Sequence, residues 1–180
     1  MEINELIEKY SDYIISIYKT GSDILPWIKN PQDKDYRVYT NGANNKIRDE
    51  LQKNPPKNSH YIVRDGNKRQ HPRTHSYQKY FEKPLYGEDL DCNKYNIFEN
   101  EKEYKQYLIN YCSIRTYTPE NKVWYHILTA IYLFDNGDYF ITDEQAQNIQ
   151  LCHDRKMTPE IYNYIKIRLN EWDEKLDNPN

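Results

Sequence analysis

The chain has 180 residues, 37% of them apolar, with 25 lysines and arginines against 28 aspartates and glutamates for a net charge of −3. That is enough apolar side chain for a modest core, too acidic a balance for a protein that coats nucleic acid by bulk charge, and without any apolar run long enough for a membrane span. The three cysteines, Cys92, Cys112 and Cys152, form an odd set with no Cys-x-x-Cys spacing, which argues against a disulfide framework and against structural zinc.

Ile3, Leu6, Ile7 and Tyr10 fall on one side of a helix over residues 3–10. Tyr13-Ile14-Ile15-Ser16-Ile17-Tyr18 is β-branched and aromatic, and predicts a strand that gives way to a turn at Thr20-Gly21-Ser22. Pro26 and Pro31 leave room for one short turn around Ile24 to Ile28 before a second strand, Tyr36-Arg37-Val38-Tyr39, headed by Asp33-Lys34-Asp35. A helix over Asn44 to Gln52 is closed by Pro55-Pro56, and Ser59 to Arg64 reads as a third strand.

The stretch from Arg64 to Lys79 carries Arg64, Lys68, Arg69, Arg73 and Lys79, with His71 and His75, and almost no apolar residue. It reads as a solvated connection that cannot bury itself; the alternative is a basic loop that contacts a triphosphate or a nucleic-acid acceptor. Pro72 between the two histidines removes a helical zinc pair. A further strand is expected from about Leu90. From Asn100 the pattern turns helical. Tyr104, Tyr107, Leu108 and Tyr111 share one face, and Thr118-Pro119-Glu120 opens a helix that is apolar on most sides until Asp135-Asn136-Gly137. Thr142 to Gln145 has a capping-box pattern, and Thr158-Pro159 opens a last helix striped by Ile161, Ile165, Leu169, Trp172 and Leu176.

Chemistry concentrates early in the chain. Successive strand residues face opposite ways, so Asp33 and Asp35 present carboxylates on one face, close enough to share hard divalent cations such as Mg²⁺ or Mn²⁺, while Lys34 points away. Gly21 lets the backbone pass close to a phosphate, and Ser22 adds a hydroxyl donor, with free N–H groups if a helical turn begins there.

A Gly-Ser pair, a spacer of this length and then an Asp-x-Asp resembles the signature of the polymerase-beta-like nucleotidyltransferase superfamily, over Tyr18 to Tyr39. Many relatives carry a second glycine in the spacer, where Leu25-Pro26-Trp27 stands here. The resemblance implies an α+β fold and transfer of a nucleoside monophosphate from an NTP to an acceptor, with release of pyrophosphate. Asp33 and Asp35 would bind the cations, and Gly21 and Ser22 the β- and γ-phosphates. The superfamily takes a third carboxylate from a later strand; Asp89 and Asp91 are the candidates here, and Asp91 is preferred as a metal ligand and acceptor of the attacking group's proton.

Asn121 to His126 also resembles a Lys-x-x-x-His element of some predicted phage and bacterial nucleotidyltransferases with a helical C-terminal part. Lys122 and His126 lie a turn apart, which suits a second phosphate contact; equally, His126 is a core histidine and Lys122 a surface cation. The expected organisation is a catalytic core over residues 1–99 and a helical subdomain over 100–180, in a cytoplasmic protein. The excess of Tyr, Asn, Lys and Ile suggests AT-rich coding, as in a phage or other mobile element. The acceptor is open between RNA, protein and small molecule. Two other functions stand beside the transferase: a non-catalytic nucleotide- or protein-binding module on the same scaffold, and an RNA-processing or toxin-like protein.

Overall fold

The computed structural model describes residues 1–68, 72–90, 94–114 and 118–177. By contact the chain divides into two units. The first comprises Met1–Leu25, Asn30–Gln70 and Gln78–Tyr95, and the second Pro26–Lys29, His71–Tyr77 and Asn96–Asn180. The architecture is α+β, with one four-stranded mixed sheet and a helical C-terminal half.

The first unit is built on strands β1 (Ile14–Thr20), β2 (Lys34–Thr40), β3 (Ser59–Asp65) and β4 (Pro84–Gly87), in the order β3-β2-β1-β4. β1 is antiparallel to both β2 and β4, whereas β2 and β3 are parallel. A parallel pair needs a crossover, and helix α2 (Asn44–Lys53) supplies it. Helix α1 (Ile3–Tyr10) and α2 bury Leu6, Ile47 and Leu51 in one cluster with Ile14, Ile17, Val38 and Val63. Tyr36 and Tyr61 stack at 5.1 Å beside it, and burial pushes the Tyr61 phenol up to about 12.

Because one sheet face is committed to this apolar cluster, the period of two sends the polar residues to the other. That face carries Ser16, Tyr18 and Thr20 from β1, Asp35, Arg37 and Tyr39 from β2, and His60 from β3. Arg37 and Glu82 form an ion pair with side chains only 4% and 0% exposed: Arg37 Nη1 donates to both Glu82 oxygens at 2.7 and 2.6 Å. Thr20 Oγ1 donates to the same carboxylate at 2.5 Å. The last residue of β1, the middle of β2 and the approach to β4 are thereby tied together.

Two expectations from the sequence are corrected here. The strand anticipated from Leu90 lies earlier, at Pro84–Gly87, because Tyr86 pairs with Ile17 and joins the apolar cluster. Leu90 is outside the strand, its N–H donating to the Tyr18 hydroxyl at 2.7 Å. The stretch before β4 does bury itself: Thr74, Ser76, Tyr77, Gln78 and Lys79 are all buried. A short 3-10 turn, Ser76–Tyr80, takes up backbone groups there, the Arg73 N–H donates to Ser76 Oγ, and Thr74 C=O accepts the Tyr104 hydroxyl at 2.9 Å. Arg69 and His71 of that stretch lie outside the described residues.

The second unit holds α3 (Glu101–Ser113), α4 (Val123–Asn136), α5 (Asp143–His153) and α6 (Pro159–Asp177). α4 starts after a turn rather than at Thr118, with the Asn121 side chain accepting the Val123 N–H. It packs against α5 and α6, and buries nine residues, from Trp124 to Leu133, which suits its apolar surroundings. α5 begins in a capping box in which the Thr142 hydroxyl accepts the Gln145 N–H and the Gln145 side chain accepts the Thr142 N–H. α6 buries Ile161, Ile165, Leu169 and Trp172 along one stripe. Among the described residues, no helix is long and apolar enough to cross a membrane.

Candidate nucleotide and cation site

β1 ends at Thr20, which stands opposite Asp35 in the antiparallel register. The chain then turns at Gly21, whose φ of 82° lies in the left-handed region that favours glycine. Its α-carbon lies so close to Asp35 that an added Cβ would sit 2.8 Å from Asp35 Cβ and closer still to the carboxylate. Ser22 follows, buried, at the start of a three-residue 3-10 turn, Ser22–Ile24. Lys19 and Asp23 pair at 2.7 Å across the same turn.

Asp33 precedes β2 and Asp35 is its second residue, so both side chains emerge on the polar face. Each is partly exposed, 29% for Asp33 and 26% for Asp35. The parallel register sets His60 of β3 directly beside Asp35. His60 Nδ1 lies 3.2 Å from Asp33 Oδ2 and 3.4 Å from Asp35 Oδ1, and one donor atom from each of the three residues falls within 4.8 Å of the others. Two partly shielded carboxylates converging on one point form a donor set that fits a hard divalent cation. His60 stands in a strand that sequence reasoning recognised, but its place in the cluster comes from strand pairing, which no local pattern encodes. An alternating strand carrying a lone histidine was the available signal.

Asp91 lies outside the described residues. Asp89 follows β4 and accepts the Tyr18 hydroxyl at 3.0 Å. Burial, together with this carboxylate, raises the pKa of that phenol.

Lys122 and His126 belong to the second unit, at the start of α4. The His126 ring packs beside Tyr77, His75 and Tyr125, with Nδ1 at 2.9 Å from the Tyr77 hydroxyl. Burial, reinforced by His75, His153 and Lys122, holds its pKa well below the ordinary histidine value, so the ring is neutral.

The sheet, its helices and the helical C-terminal half constitute a nucleotidyltransferase-like fold. The crystal structure of spectinomycin adenyltransferase AAD(9) from Enterococcus faecialis with ATP and spectinomycin is similar, with a TM-score of 0.52 and 17% identity over 98% of this chain and 97% of that one. At that identity the likeness is one of fold. No protein-family model matches the chain, and no curated protein matches it.

Proposed function

We propose that this chain is a cation-dependent nucleotidyltransferase that moves a nucleoside monophosphate from an NTP to an acceptor and releases pyrophosphate. The observation that carries the reading is the convergence of Asp33 and Asp35 on one face, with Asp35 against the backbone of Gly21. A bound divalent cation would neutralise charge on the triphosphate and its leaving group. Asp33 and Asp35 hold it, while Gly21 and Ser22 take the β- and γ-phosphates, the missing Cβ of Gly21 being what lets Asp35 stand against that turn. Asp91 is assigned to the proton of the attacking hydroxyl. That oxygen bonds to the α-phosphorus as the bond to the bridging oxygen breaks, and the pyrophosphate leaves.

The fold likeness favours ATP as the nucleotide and a hydroxyl-bearing small molecule as the acceptor, since it spans nearly the whole of both chains and the neighbour was crystallised with ATP and spectinomycin. The test is the paired variant Asp33→Asn with Asp35→Asn, assayed with α-labelled NTP against a panel of hydroxylated acceptors. Label transfer should fall roughly a thousandfold or more, the several kcal/mol that cation stabilisation supplies. Unchanged turnover in a folded variant overturns the assignment.

A further inference from the structure

We propose that His60 Nδ1 is a third protein ligand to the cation held by Asp33 and Asp35, and that this nitrogen donor biases the site toward Mn²⁺ over Mg²⁺. The inference rests on the proposed cation role of the two aspartates and adds the identity of the ion.

Three observations carry it. The parallel register places Asp35 and His60 side by side on neighbouring strands, about 4.8 Å apart, with both side chains on the polar face. The imidazole nitrogen then stands 3.2 and 3.4 Å from one oxygen of each aspartate. Neighbouring ligands on one octahedral ion, each about 2.1 Å from it, are separated by about 3 Å, so the imidazole nitrogen already stands within a few tenths of an ångström of ligand spacing from each carboxylate oxygen. Finally, the His60 side chain is 69% exposed, so the ring adds little to the core and is free to adjust.

Donor chemistry sets the consequence. Oxygen-only sites suit Mg²⁺, which keeps its waters, whereas an imidazole strengthens binding of first-row transition cations. Mn²⁺ would accept carboxylate and phosphate oxygens together with an imidazole nitrogen.

The experiment titrates the full chain with Mn²⁺ alone and with Mg²⁺ in competition, for the native protein, His60→Ala, and the paired Asp33→Asn, Asp35→Asn variant. Electron spin-echo modulation on the Mn²⁺ complex reads nitrogen coordination directly, with ¹⁵N-histidine labelling to assign it. The expected result is a nitrogen coupling in the native protein that is absent in His60→Ala, an Mn²⁺ affinity lowered at least about tenfold there, and an Mg²⁺ affinity changed much less. Bound Mn²⁺ without nitrogen coupling, or an equal loss of both ions in His60→Ala, overturns the proposal. If the paired aspartate variant still loses Mn²⁺, the transferase reading survives that failure. Native protein that binds no Mn²⁺, or a paired variant that binds it undiminished, overturns both.

Discussion

A methyl group at position 21 would have to occupy space held by the Asp35 side chain, on a backbone already at φ 82°. Gly21→Ala should therefore lower stability by about 1–2 kcal/mol and push Asp35 away from Asp33, weakening cation binding along with it. Calorimetric titration with Mn²⁺, beside thermal unfolding, checks both; full Mn²⁺ affinity in the alanine variant would mean that the close approach has no bearing on the site. At this scale much of the candidate site was readable, because Gly21, Ser22, Asp33 and Asp35 lie in one short segment where period two and the turn residue suffice. His60 was not, since its neighbourhood to Asp35 depends on which strand pairs with β2 and in which direction. Glu82 was also silent: nothing near it in sequence says that Arg37, 45 residues earlier, is its partner.

Between elements, the Arg37 and Glu82 pair is the most consequential contact of the sheet unit, since it is buried and shared with Thr20. Removing one member strands the other's charge where water cannot reach it. Arg37→Ala is expected to cost about 3–5 kcal/mol, a large share of a typical domain's stability. Replacing both, Arg37→Met with Glu82→Leu, should recover most of that loss, because no lone charge remains. Urea unfolding of the single and paired variants separates these outcomes; equal losses in both would show that the charges matter less than the shape they fill. Elements announced by long periodic patterns were legible: α1, β1, α2, β3, α5 and α6 fall where apolar spacing and capping residues put them. β4 was not, because four residues opened by Pro84 and closed by Gly87 look like a turn until Tyr86 is seen packing on the core. The burial around Thr74 to Lys79 escaped for a related reason, since the Thr74 C=O finds the Tyr104 hydroxyl, 30 residues on, only in the folded chain, and a short turn takes up backbone groups that the sequence leaves open.

For the molecule as a whole, His126 sets a pH dependence whose sign follows from its environment. Its folded pKa lies below the ordinary value of 6.5, so below that pH the unfolded chain binds a proton that the folded ring refuses. Stability is complete above 6.5 and declines as pH falls toward the lower folded value, by up to about 1.4 kcal/mol per pH unit for one proton. Thermal unfolding between pH 7 and 5 should show the decline, and His126→Gln should flatten it; an equal slope in the glutamine variant would place the effect elsewhere.

The chain passes from one contact unit to the other after residues 25, 29, 70, 77 and 95. Two of those excursions supply partners inside the helical unit, where the Lys29 N–H donates to Gln150 and the Tyr77 hydroxyl meets His126. The halves are thus interleaved rather than strung together. No single cleavage yields two self-sufficient pieces, and exchange of either half with a foreign counterpart must carry several short segments at once or leave the recipient with gaps in its own packing.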